Sequence, residues 1–404
     1  MRKRTVITGI GILSSIGNGK EQFINGLVEG VCGTDRVRSF DIEEYPVQMG
    51  AEIKDFQTEN YGVFDLQNED TTVQKAVCAV KEALEDSGIL SHYEPFDIGV
   101  SVATSLGGVN SRENYYRDIK AGRAADPSLL LKVPTSCIAG NISEYFGVNG
   151  PNYTVVTACA AGGNALGIAK DLISEGKVKA MIAGGVDPFS AVSFSGFTVL
   201  RSLSKSYTRP FNKDRDGLTL GEASAFLILE EMESAVERGA HIYAELLGYG
   251  ISNDAYHMTS PDPNGGGAYR SMTMALEEAG LLPQDISYVN AHGTGTPYND
   301  QMELATIEKV FGESLINIPI SSSKSQFGHT LGTAGAIEAI VCALAISNDF
   351  TPPTIHSTDP INHQYNFVQN KSQNQEVNYA LSNSFAFGGN TATLVLGKSP
   401  RDEK

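Results

Sequence analysis

Apolar runs of strand length alternate with helix-period segments along almost the whole chain. Strands are predicted over residues 4–8, 98–103, 153–157, 180–184, 225–229, 243–248, 287–290, 319–322 and 393–396. Helices are predicted over 71–87, 162–176, 267–279, 300–311 and 335–348. This alternation predicts an α/β fold with a mixed or largely parallel sheet. Two segments echo each other. TVVTACAAGGNALGIAKDLI runs strand, reactive residue, glycine turn, helix, and PISSSKSQFGHTLGTAGAIEAIVCALAI repeats the order with Lys324 and His329 at the turn. A duplicated half explains the echo, with residues 1–240 carrying the cysteine and 241–404 carrying the histidines and lysine. Residues 204–217 (SKSYTRPFNKDRDG) read as a polar surface loop, 348–372 as a second long loop, and 400–404 as a frayed tail.

Composition narrows the function. The net charge of −17 over 404 residues would repel phosphate, which argues against nucleic acid and anionic membrane as partners. Five widely spaced cysteines without a CxxC pair predict neither a disulfide framework nor a zinc site, and fit a reducing cytoplasm. The opening MRKRTVITGIGILSSIG reads as a buried first strand, not a signal peptide. No run of 18 apolar residues occurs, so no membrane-crossing helix is expected.

Four junctions carry candidate chemistry. Cys159 follows a strand and precedes a helix, whose dipole would favour thiolate, and Gly162 and Gly163 would let the backbone approach a ligand. The competing reading is a buried inert thiol, which is the reading given to Cys32, Cys78, Cys137 and Cys342. In NAHGTGTP a strand delivers His292 into a glycine- and threonine-rich turn; a purely structural histidine is the alternative. In KSQFGHTLGTAG, Lys324 and His329 precede a helix start, where a histidine is biased to its neutral, hydrogen-donating form. The other histidines (92, 241, 257, 356 and 363) lack such contexts. In NSFAFGGNTATLVLG, Phe385 and Phe387 precede the hinge Gly388–Gly389 and read as an aromatic gate, or else as core aromatics. In an open α/β sheet such junctions gather at the carboxyl ends of strands.

These motifs resemble the β-ketoacyl-acyl carrier protein synthases of the class I/II elongating type, including type II polyketide ketosynthases. TACAAG, AHGTGTP, KSQFGHTLGTAGAIE and NSFAFGG carry the likeness, together with VITGIGILSSIGN and RDGLTLGEASAFLILEE. The resemblance implies a thiolase-like αβαβα fold of two pseudo-symmetric halves, a homodimer, and decarboxylative Claisen condensation of an acyl-enzyme with malonyl-acyl carrier protein. It implies Cys159 as the nucleophile and His292 and His329 as donors to the enolate oxygen. Lys324 would tune the site, and the amides of Cys159 and Phe387 would form the oxyanion hole. It further implies Thr294 and Thr296 on the pantetheine arm, Phe197, Leu106 and Phe385 around the substrate, and Arg201 and Lys132 at the docked carrier. No cofactor is required beyond the carrier's phosphopantetheine. A structural monovalent or divalent cation is implied at Asn290, Glu338, Ser382 and Asn383.

The chain departs from many elongating enzymes in reading GGNT at the gate and PYND after His292, and in an acidic LQNEDTTVQK where a basic docking surface is usual. These departures lean towards a specialised carrier. The alternatives are a non-catalytic chain-length-factor-like partner, which would typically lack the cysteine, and a thiolase-type acyltransferase using coenzyme A, which would need a different second-half motif.

Overall fold

The computed structural model describes residues 2–399, so the tail expected over 400–404 lies outside the described residues. Ten strands form the body of one large mixed sheet. The first half supplies Thr5–Ser14, Ile98–Ala103, Asn152–Val155, Ala180–Asp187 and Ala223–Glu231. The second supplies Ala244–Asn253, Tyr288–Asn290, Ile320–Ser321, Tyr379–Phe385 and Asn390–Gly397. Numbering strands in chain order within each half, both halves run 1-5-4-2-3 outward from the seam. The first, fifth and fourth strands pair antiparallel, and the fourth, second and third pair parallel, in both. At the seam the two first strands pair only through Val6 with Glu245 and Ile7 with Ala244.

In each half the helix after the third strand is central. Ala161–Ser174 packs on strands of its own half and on Asn390–Gly397; Ala334–Asn348 packs on Tyr379–Phe385 and on Ala223–Glu231. The two helices also pack on each other, while Thr71–Ser87 and Gly266–Ala279 cover the outer faces. The result is the layered αβαβα arrangement. Gly162 and Gly335 make the central crossing close. A Cβ on Gly162 would lie 2.5 Å from Ala336 N, and one on Gly335 would lie 2.4 Å from Gly163 N. Gly162 and Gly335 therefore serve helix–helix approach, and for Gly162 this replaces the expected role of opening the backbone to a ligand.

Helix boundaries follow ordinary chemistry. Asp70 caps Thr71–Ser87 by accepting from Thr72 N, and Gly88 ends it in the left-handed region at φ 70°. Other elements escape the pattern. Tyr379–Phe385 is a buried strand whose apolar run is broken by Ser382, Asn383 and Ser384. The helices Lys20–Glu29, Val109–Lys120, Ser136–Phe146 and Ala191–Val199 are also additional to the predicted set.

The 18 residues Leu331–Asn348 are apolar and long enough to cross a membrane, although the count of apolar residues alone gave no such run. That window is 89% buried within the molecule, so it is a core helix. Residues 204–217 are not a surface loop throughout: Thr208, Phe211 and Asn212 are buried. Thr208 Oγ1 donates to the Thr294 oxygen at 2.8 Å, and Phe211 N donates to Asp300 Oδ2 at 2.8 Å. The loop is thus the floor of the turn that follows His292.

Candidate active site

Cys159 sits in a single 3-10 turn, Ala158–Ala160, that runs straight into the helix Ala161–Ser174. Ala158 is held at φ 50°, a region that costs a non-glycine residue energy and persists only where its surroundings enforce it. The sulfur is buried and receives the main-chain N–H groups of both Cys159 and Phe387. Burial pushes its thiol up to about 12; Lys324 and the two amides pull the other way, and Asp187 adds to the rise. Loss of hydration thus opposes the thiolate that the helix terminus was expected to favour.

His292 follows the strand Tyr288–Asn290. Its own N–H and that of Gly293 donate to Glu303 at 2.7 and 2.8 Å, which fixes the turn. The Lys324 ammonium is 3.3 Å from His292 Nδ1, donates to the His292 oxygen at 2.7 Å and pairs with Glu338. An ammonium has donors only, so Nδ1 accepts and the ring proton resides on Nε2. His329 reaches the same state by another route, since its Nδ1 accepts from Leu331 N at 3.2 Å. The two rings meet edge to face, with centroids 5.4 Å apart. Burial first, and then Lys324, hold both well below the usual histidine value, with His329 adding to the effect on His292. The site therefore presents two neutral Nε2–H donors.

Cys159, His292 and His329 share the wall of a pocket of about 230 Å3 with Phe197, Phe385, Phe387, Thr294 and Thr296. The two threonine hydroxyls lie 2.9 Å apart. Phe387, 36% exposed, stacks on Phe197 with centroids 5.7 Å apart. Gly388 and Gly389 take φ 81° and 80°, as a reorienting turn requires. The loop is pinned where Gly388 N donates to Met258 O and Asp254 N to Gly389 O, both at 2.8 Å.

Not every expected residue joins this pocket. Leu106 lies in the neighbouring apolar cluster with Phe189, Phe194, Phe197 and Leu331. Arg201 is exposed between Leu200 and Ser202, which line the pocket, and so stands at its mouth. Lys132 lines a separate polar pocket with Glu69 and Asp126, and its ammonium is engaged by the Asn68 oxygen. Among the described residues no group of three histidine, cysteine or acidic side chains could hold a metal. At the expected cation position, however, Asn290 Oδ1, Glu338 Oε2 and Ser382 Oγ are all buried without a hydrogen-bond partner. Oxygen is the donor type that a hard cation takes. The Asn383 side chain is committed elsewhere, its Oδ1 accepting from Thr393 Oγ1 at 3.0 Å and its Nδ2 donating to Glu303 at 3.2 Å.

Glu303, Asp187 and Thr208 belong to the site's frame and are missing from the expected set. Burial pushes Glu303 up to about 7 and Asp187 to about 6. One signal was available for Glu303: it lies one helical turn after Asp300 behind AHGTGTP, an acidic pair that an exposed helix would present to solvent.

The fold and this pocket define a condensing enzyme. Residues 2–235 match the family described as Beta-ketoacyl synthase, N-terminal domain, and 243–358 match its C-terminal domain. The chain belongs to the β-ketoacyl synthase family. It is 39% identical over 407 residues to 3-oxoacyl-[acyl-carrier-protein] synthase 2 of Staphylococcus aureus (strain COL), covering 98% of each. Among solved structures it is similar to the ishigamide ketosynthase/chain length factor, with TM-score 0.94, 35% identity and coverage of 99% of this chain and 100% of that one. It is also similar to a type II polyketide acyl-carrier protein in complex with its hexaketide-bound ketosynthase, at TM-score 0.90, 31% identity and 99% and 100% coverage.

Proposed function

We propose that this chain is an elongating ketosynthase. The convergence of one thiol and two neutral Nε2–H donors on a single pocket carries that reading. Cys159 sulfur attacks an acyl thioester on a carrier protein's phosphopantetheine, its proton goes to the departing pantetheine sulfur, and the acyl group stays on Cys159. The amides of Cys159 and Phe387 accommodate the oxyanion. Malonyl-carrier protein then enters past Thr294 and Thr296. His292 and His329 donate to its thioester oxygen while the C–C bond to the carboxylate breaks and CO2 leaves. The enolate carbon attacks the acyl carbonyl, the bond to Cys159 sulfur breaks, and the departing thiolate takes a proton from solvent, the one proton the overall reaction consumes. Decarboxylation makes the carbanion without a strong base, so donors suffice. Lys324 holds His292 in its tautomer, and Phe197 and Phe387 gate the acyl side.

Arg201 suits an acidic carrier better than Lys132, whose ammonium is already engaged. A second subunit is supported by the edge strand Asn152–Val155, with Tyr153 and the adjoining Val156 exposed. That subunit is a second copy or, as the ketosynthase/chain length factor neighbour suggests, a chain length factor. A monovalent cation fits the orphaned oxygens of Asn290, Glu338 and Ser382. Five free cysteines suit a reducing cytoplasm.

The test is direct. The protein is incubated with acyl-carrier proteins, and acylation is mapped by mass spectrometry. Malonyl-carrier protein is then added and a product two carbons longer is sought. Cys159→Ala should abolish loading, while His292→Ala and His329→Ala should load but decarboxylate poorly. Normal condensation by either histidine variant sinks the assignment. Whether the product is a fatty acid or a polyketide is read in the same experiment by varying the carrier.

A further inference from the structure

Asp187 ends the strand Ala180–Asp187 with its side chain buried, and it has no part in the chemistry above. Its carboxylate accepts from Thr104 Oγ1 at 2.8 Å, Ser105 N at 2.9 and 3.0 Å, Leu106 N at 2.9 Å and Gly332 N at 2.6 Å. Four donors from two loops, more than 200 positions apart in sequence, thus converge on one side chain. A buried carboxylate is costly unless its acceptor positions are filled, and here they are.

The two loops differ in what they carry. One holds Leu106 in the apolar cluster beside Phe197. The other is the turn after His329, where Leu331 sits at φ 53° and gives its N–H to His329 Nδ1. A bulky residue at positive φ is strained, so the turn needs a restraint from outside itself. The Asp187–Gly332 bond, one residue beyond Leu331, supplies it. The same carboxylate also acts electrostatically on the Cys159 sulfur.

We infer that Asp187 is a positioning residue for condensation: through Gly332 it holds the turn that aims His329 at the reacting thioester, and through Ser105 and Leu106 it locks the neighbouring loop to the same anchor. This rests on the ketosynthase reading. Asp187→Asn keeps the shape but replaces an acceptor with a donor, so it cannot satisfy all four groups. Decarboxylation of malonyl-carrier protein should fall about tenfold or more, the size of one lost charge-assisted hydrogen bond, while acyl loading of Cys159 stays within about threefold. Alkylation of Cys159 should shift to lower pH, because a nearby negative charge is gone. Asp187→Glu, which keeps charge and acceptors, should restore decarboxylation to within about threefold.

Equal losses of loading and decarboxylation in Asp187→Asn would overturn the inference, as would a Glu variant no better than the Asn variant. If Asp187→Asn does not fold, Asp187→Glu decides alone. Near-native decarboxylation upholds the role, and a joint loss of both activities overturns it. The unaltered protein runs in the same assays, so a chain that neither loads nor releases CO2 refutes the ketosynthase reading itself and is distinguished from failure of the Asp187 role.

Discussion

Lys324 Nζ donates to the main-chain oxygen of His292 at 2.7 Å while standing 3.3 Å from Nδ1 of the same residue. One ammonium therefore sets both where the histidine sits and which nitrogen holds its proton. Lys324→Ala should lower malonyl decarboxylation by roughly 10–100-fold, the loss of a fixed tautomer and one donor, and slow Cys159 loading less, through the lost charge that favours its thiolate. Single-turnover assays separate the two steps, and unchanged decarboxylation would contradict the role.

Both imidazoles are held well below the ordinary histidine value by burial and by Lys324. A lowered histidine pKa means the neutral donor form is already complete above the usual midpoint. The decarboxylation rate should then lack the acid limb of a normal histidine near about pH 6.5. An inflection near 7 would belong to Glu303 or Glu338, both pushed up to about 7, and should vanish in Glu303→Gln or Glu338→Gln.

Burial makes the resting Cys159 a thiol, with its value pushed up to about 12. Iodoacetamide labelling of Cys159 in the free protein should climb about tenfold per pH unit between pH 7 and 9, as thiolate remains a small fraction. Peptide mapping follows the rate. A plateau by pH 7 would mean a pre-formed thiolate.

The orphaned oxygens of Asn290, Glu338 and Ser382 predict a cation-dependent melting temperature. Exchanging sodium or potassium for tetramethylammonium should lower Tm, by up to about 3 kcal/mol of stability if the ion is near 100-fold above its Kd. Calorimetry measures it, and Ser382→Ala should shrink the difference. Equal Tm in all salts would remove the ion from the site.

Gly162→Ala places a Cβ 2.5 Å from Ala336 N, well inside contact distance. Backbone cannot rotate aside, so the variant should lose roughly 1–3 kcal/mol or more of stability. It should also lose condensation in proportion, because the shifted helices begin just after the segments that hold Cys159 and His329. A thermal melt with an activity assay tests this.

Much of this was readable from residues. The central helices announce themselves by apolar period, and Cys159, His292, Lys324 and His329 each stand out at a glycine-bearing junction. The ionisation of the cysteine was not readable, because hydration loss depends on what closes over the sulfur from Phe387's loop. Neither was Asp187: a single acid at a strand end looks ordinary until two distant loops are folded onto it. Ala191–Val199 was invisible for the opposite reason, being too uniformly apolar to show a stripe.

The seam between the halves has a mechanical consequence. Among the described residues the first strands pair in register at only two positions there, Val6 with Glu245 and Ile7 with Ala244, backed by the Tyr243 N–H to Ile7 O bond at 2.9 Å and by Arg4 on Glu245. With so short a register, sliding of one half past the other would be resisted largely by the buried helix pair and the strands it crosses. Since that pair delivers the sulfur from one side and an imidazole from the other, a slip of even an ångström would be felt directly at the bond being made.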